Sequence, residues 1–195
     1  MTEFEKMINN IIYDPMDKEL ADLRTKAHRL SKDYSDTYDD EFDKRKVILK
    51  ELLPNASDDV NIEGPVYFDY GVNTYIGKRF FANFNFTVLD CAKVIIGDDV
   101  FIAPNVSIYT AYHPIKYKDR NGYLREDGVI TDKEYAKEIV IGSNVWIGGS
   151  VTILPGVHIG DGCVIGAGSV VTKDTEPNSI YVGNPAKKLK SIDND

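Results

Sequence analysis

The chain has 195 residues, 43% of them hydrophobic, and a formal net charge of −8. That length allows one large or two small domains with a sizeable core. The acidic balance argues against a general nucleic-acid binder, which carries a basic stripe, and no apolar run is long enough to suggest a membrane span.

The acidic N-terminus, MTEFEKMINNIIYD, lacks a signal-peptide pattern. Cys91 and Cys163 have no metal-like spacing and read as buried or semi-buried thiols of a reducing compartment. The expected location is the cytoplasm. His28, His113 and His158 are scattered and form no evident ligand cluster.

Residues 1 to about 55 read as helix. Ile8, Ile11 and Ile12 offer a short apolar face, which Asp14-Pro15 breaks. From Asp17, the positions Leu20, Leu23, Ala27 and Leu30 recur at three- and four-residue steps, an amphipathic helix. Ser35 to Asp40 is a polar link. Phe42, Val47, Ile48, Leu52 and Leu53 form a further helix that Pro54 ends. No repeat is visible here, so this segment, 1–57, is expected to be a separate helical subdomain or cap.

From Val60 the pattern turns to alternation, as in a strand. Ile76, Ala82 and Val88 then stand six apart. The phase slips, and Ile96, Ile102 and Ile108 set a new register. A polar stretch, 109–138, interrupts the repeat: Ile108 and Ile141 are thirty-three apart, not a multiple of six. Loops of that length are commonly functional or disordered.

The stretch from Ile141 to Lys173 is the most regular. Aliphatics return at Ile141, Ile147, Ile153, Ile159, Ile165 and Val171, with a second column at Val145, Val151, Val157, Cys163 and Ser169. A period of six fits neither a helix nor an isolated strand. It is the signature of a hexapeptide β-helix, in which three hexads of about eighteen residues close one coil. The competing fold is an antiparallel sandwich with glycine turns. Domain 58–190 is therefore read as a mainly β solenoid with an excursion.

YTAYHPI, NVWIGG, TILPGVHIGDGCVIGAGSVVTKD and YVGNPAKK together resemble the sugar O-acetyltransferases of the hexapeptide-repeat superfamily, of the maltose and galactoside type. IIYDPMDKELADLRTKAHRL is similar to that family's N-terminal segment, so the likeness spans nearly the whole chain. The resemblance implies a left-handed parallel β-helix, a homotrimer with sites between subunits, acetyl-CoA as co-substrate without a metal, and a sugar as acceptor. Other readings are a different hydroxyl acceptor, such as a polysaccharide precursor or a xenobiotic, or a non-catalytic scaffold.

The same resemblance assigns roles. His113 stands where the family places its general base, a task that imidazole suits at neutral pH; a structural loop histidine is the alternative. Glu134 would orient it, or be a solvated carboxylate. Asp14, Arg24, Asp69 and Asn83 match acceptor-contacting positions, with Asn83 near His113; Asp14 is equally suited to cap a helix. Gly149 would offer a backbone N–H to the oxyanion. Ala167, Thr172 and Lys173 match contacts to the pantetheine arm, and Lys187 and Lys190 stand where the nucleotide phosphates lie, or form a solvated basic end. Cys91, where galactoside-type relatives carry Asp, leans away from galactoside specificity. Set against typical maltose-type members, the excursion between His113 and Ile141 is roughly eight to nine residues longer, an insertion that could reshape an acceptor pocket.

Overall fold

The computed structural model describes residues 1–193. Three helices lead the chain: α1 (Glu3–Ile8), α2 (Lys18–Ser35) and α3 (Phe42–Leu52). Thr2 and Glu5 form a reciprocal capping box at the start of α1, and Asp17 caps α2 by accepting the Glu19 N–H. Among these described residues no helix is long and apolar enough to cross a membrane.

The rest is a parallel solenoid of five full coils and the start of a sixth. The first coil has strands Asn55–Ala56, Asn61–Ile62 and Val66–Phe68; each strand pairs with its equivalent in the next coil. Three sheets result, one per face, through the inward columns Ala56-Ile76-Ile96-Ile141-Ile159, Ile62-Ala82-Ile102-Ile147-Ile165 and Phe68-Val88-Ile108-Ile153-Val171. Except for the partly buried Ala56, all are buried, and so is the second column from Val145 to Ser169. Burying about 25 cal/mol per Å² of apolar surface at every step makes this stack the dominant stabilising term.

The register explains the phase slip. Coils one to three repeat after 20 residues and coils four to five after 18 (Ile76 to Ile96, against Ile141 to Ile159). Every step between inward positions within a coil is six. The step from the third sheet back to the first is eight at Phe68–Ile76 and Val88–Ile96, thirty-three at Ile108–Ile141, and six again at Ile153–Ile159. One corner is thus widened, and the excursion leaves from it. The excursion has structure of its own: a ribbon pairing Ala111–Tyr112 with Tyr135–Ala136, a short helix α4 (Tyr117–Arg120), and a second ribbon pairing Tyr123–Leu124 with Ile130–Thr131.

The helices close the first coil. Its open edge would leave backbone groups unpaired. Tyr34 Oη and Arg45 Nη2 donate to the Ile62 carbonyl at 2.5 and 2.8 Å, and Ser35 Oγ and Ser31 Oγ accept from the Val66 and Phe68 N–H groups. Ala27, Tyr34, Leu52 and Leu53 belong to the same apolar core as the coils. The expected apolar faces need correction at the ends. Met7, within α1, is the buried residue there rather than Ile11, and Phe42 and Val47 point to solvent while Leu52 and Leu53 face the core. At the far end an antiparallel strand, Lys187–Ser191, pairs with Ser179–Val182 and covers the last edge.

Candidate functional site

The widened corner gathers the polar chemistry. Its scaffold is Asp90, fully buried, whose carboxylate accepts from the Tyr70 N–H at 2.8 Å and the Thr74 hydroxyl at 2.9 Å. Burial pushes its carboxyl up to about 6 despite these donors. The Asp90 carbonyl takes a bond from Asn73, and Thr110 Oγ1 links Ala92 to Leu89. Successive widened corners are therefore stapled together, and Asp69, Tyr70 and Cys91 line one cavity. Gly71 is required at the turn: its φ is +70°, and a Cβ there would lie 2.1 Å from the Leu52 carbonyl.

His113 and Glu134 meet because of the first ribbon. Ala111 faces Ala136 and Tyr112 faces Tyr135, their rings stacked at 5.3 Å. One step further along both strands places His113 beside Glu134. His113 Nε2 is 3.7 Å from Glu134 Oε1, and Nδ1 lies 3.3 Å from the Lys133 carbonyl and 3.9 Å from Asp132 Oδ2. His113 is accessible, while Glu134 is mostly buried and burial raises its carboxyl above the ordinary range. One atom each of His113, Asp132 and Glu134 lies within 4.8 Å of the others.

The cavity, about 350 Å³, has three walls: Pro15, Met16 and Arg24 from the helical cap; Asp69, Tyr70 and Cys91 from the corners; and Gly122, Ile130, Thr131, Asp132 and Glu134 from the excursion. Arg24 donates to the Tyr70 hydroxyl at 3.0 Å and to the Pro15 carbonyl. Asp69 Oδ1 lies 3.3 Å from His28 Nε2, and the Cys91 thiol is 3.8 Å from Asp69 Oδ2. Burial, then the neighbouring Asp69, pushes that thiol up, so it is a neutral wall. Asp14 is held by the excursion: Arg125 donates to it at 2.7 Å and Thr131 Oγ1 also donates to it. Against the desolvation of its site, these two bonds lower its carboxyl below the ordinary range. A larger hollow of about 890 Å³ by α1 and α2 is lined by Glu3, Asp17, Asp22 and Lys26, without a histidine or thiol.

The sequence-based residues divide by position. His113, Glu134, Arg24, Asp69 and Asp14 come together at the widened corner. Asn83 does not join them within one chain. It follows Ala82 at the corner between the second and third sheets, where its Oδ1 accepts from the Phe84 N–H at 2.8 Å. The six-residue phase puts it on a different edge of the prism. Gly149 and Ala167 share that edge in later coils, with the Gly168 N–H donating to the Gly149 carbonyl. A Cβ on Gly148 would lie 2.6 Å from the Ala167 nitrogen, so glycine lets these coils stack. Thr172 and Lys173 follow Val171 at the end of the third sheet, and Lys187 and Lys190 are exposed on the last strand. Sequence reasoning did not select Tyr13, Tyr70, Asp90, Arg125 or Asp132; the eight-residue step at Val88–Ile96 was the available signal for Asp90.

Residues 6–57 match the maltose acetyltransferase hexapeptide capping motif, and residues 138–173 match the bacterial transferase hexapeptide with its six repeats. The galactoside O-acetyltransferase of Escherichia coli is 40% identical over 181 residues, 93% of this chain and 85% of that protein. The crystal structure of a maltose O-acetyltransferase from Clostridium difficile 630 is similar with a TM-score of 0.90 at 46% identity, covering 99% of this chain and 98% of that one. A galactoside acetyltransferase in complex with coenzyme A gives a TM-score of 0.86 at 38% identity, with 99% and 92% covered. Shared across nearly its whole length, these features make the chain a member of the maltose and galactoside O-acetyltransferase family of hexapeptide-repeat proteins.

Proposed function

We propose that this acetyltransferase moves an acetyl group from acetyl-CoA to a sugar hydroxyl, with His113 as general base. The observation that carries the reading is the His113–Glu134 pair beside a cavity lined by Asp69 and Arg24. A carbonyl only accepts hydrogen bonds, so the Lys133 carbonyl favours the tautomer with hydrogen on Nδ1 and leaves Nε2 to take a proton. The acceptor hydroxyl gives its proton to Nε2 as its oxygen attacks the thioester carbon. Glu134, beside Nε2, favours the imidazolium that forms. The tetrahedral intermediate collapses with cleavage of the C–S bond, and the imidazolium returns the proton to the leaving thiolate. No metal ion is needed for these steps.

The Gly149 N–H is assigned to the oxyanion, Ala167, Thr172 and Lys173 to the pantetheine arm, and Lys187 and Lys190 to the phosphates. Asp14, Arg24, Asp69 and Asn83 are assigned to the sugar. Asn83 and Gly149 share one edge of the prism and His113 stands at another, so the site is read as complete only between chains, which supports a homotrimer. Phe81, Phe101 and Trp146 stand in register on the outer face of the second sheet, with Phe101 54% and Trp146 56% exposed, an apolar stripe suited to self-association. The proposed acceptor is a small molecule, met in the cytoplasm.

The test is thiol release from acetyl-CoA across a panel of mono- and oligosaccharides, with His113→Ala alongside. The variant is expected to keep its fold and lose about 10²- to 10⁴-fold in kcat, the usual contribution of a positioned base. Turnover is expected to persist in the presence of a chelator. Release only with non-sugar hydroxyl acceptors, or with none, would replace the sugar reading.

A further inference from the structure

Tyr13 belongs to the cap, yet it is tied to the catalytic pair at three points. Its phenol donates to Glu134 Oε2 at 2.5 Å. Its backbone N–H donates to the Glu134 carbonyl at 3.1 Å, and the Glu134 N–H donates back to the Tyr13 carbonyl at 3.3 Å. The side chain is buried, at 2% exposure, among Met7, Leu20, Tyr70, Cys91 and Ala136. Packing therefore fixes the ring, and the ring fixes one carboxylate oxygen of Glu134. The other oxygen is left facing His113 Nε2 at 3.7 Å.

We infer that Tyr13 is a positioning residue of the reaction: its phenol and its peptide unit hold Glu134 against His113, so the helical cap is a working part of the active site. The inference rests on reading His113 as the base and Glu134 as its partner. A buried phenol beside a carboxylate stays protonated, since burial and the nearby Cys91 and Glu134 all raise it. It is a permanent donor, and a hydrogen bond to the ionised form of a carboxyl favours that form. Glu134 also faces His113, Asp132, Asp69 and Cys91; of these only His113 favours the charged carboxylate. Without the phenol hydroxyl, Glu134 keeps its backbone pairing but loses both its aim and its strongest local support for the negative charge.

The experiment compares wild type, Tyr13→Phe, Glu134→Gln and the double variant. Phe keeps the buried ring, and thermal melts confirm the fold. Carbon-13 titration of labelled glutamate, with the Glu134 resonance identified by its loss in Glu134→Gln, is expected to show the Glu134 midpoint raised in Tyr13→Phe. An unchanged midpoint overturns the inference whether or not an acceptor has been found. In turnover, Tyr13→Phe is expected to lower kcat about tenfold, the scale of one charge-assisted hydrogen bond, with KM for acetyl-CoA unchanged. In the Glu134→Gln background it is expected to add no further loss. Equal losses in both backgrounds would mean a merely structural role. If His113→Ala keeps its turnover, the catalytic reading fails separately, and the titration still decides whether Tyr13 controls Glu134.

Discussion

The same corner of the prism is built in two ways. Between coils four and five it takes six residues, Leu154-Pro155-Gly156 making a tight turn against Lys137. Between the earlier coils it takes eight, and between coils three and four it takes thirty-three. The inward columns pass both versions without losing register. The added residues are therefore free of packing duty on the coil interior, and they carry Asp69, Tyr70, Cys91, His113 and Glu134. A solenoid separates stability from chemistry by letting one corner grow while the stack stays fixed.

The largest expected effect tests the stack itself. Ile147 is fully buried in the second sheet, between Ile102 and Ile165. Ile147→Ala is expected to cost about 2–5 kcal/mol by denaturant unfolding. The molecules that remain folded are expected to keep wild-type kcat. A fall in kcat per folded molecule would show that the stack and the corner are not separable.

Asp90 is the place where the widened corner is itself structural. Its carboxyl titrates at about 6 in the fold, above the ordinary value of 3.8. The sign follows from linkage: the unfolded chain gives up this proton first, so stability falls as pH rises from about 4 to about 6. A shift of that size corresponds to roughly 3 kcal/mol. Asp90→Asn is expected to remove that part of the pH dependence in urea melts, because the amide oxygen can still accept from the Tyr70 N–H. The wild-type slope persisting in the variant would assign it to another group.

Much of this was legible in the residues. The six-residue columns gave the solenoid and its inward positions, and the break after Ile108 pointed to His113. The slip between Val88 and Ile96 was visible but carried no meaning until strand register showed that both added residues fall at one corner. That Asn83 and His113 occupy different edges of one prism was not legible, because motif order along the chain does not say which edge a residue occupies. Tyr13 was invisible for a different reason. Its partner is 121 positions away, and neither periodicity nor spacing reports a contact between a cap and an excursion.

The smallest effect on stability is expected where the excursion roofs the cavity. Arg125 joins the second ribbon to Asp14 of the cap, and Thr131 of the same ribbon bonds the other oxygen of Asp14. Gly122, Ile130, Thr131 and Asp132 form that wall of the cavity. Arg125 also pairs with Asp127 and is partly exposed, so solvent screens the contact to Asp14. Arg125→Ala is expected to shift unfolding by no more than about 1 kcal/mol. Its kinetic effect should be larger in proportion. With the roof untied, KM for a small acceptor should rise several-fold, while larger oligosaccharides gain relative to monosaccharides and KM for acetyl-CoA stays the same. An unchanged ranking of acceptors would mean that the ribbon covers the cavity without selecting what enters it, and would move the source of acceptor choice to the walls built by Arg24 and Asp69.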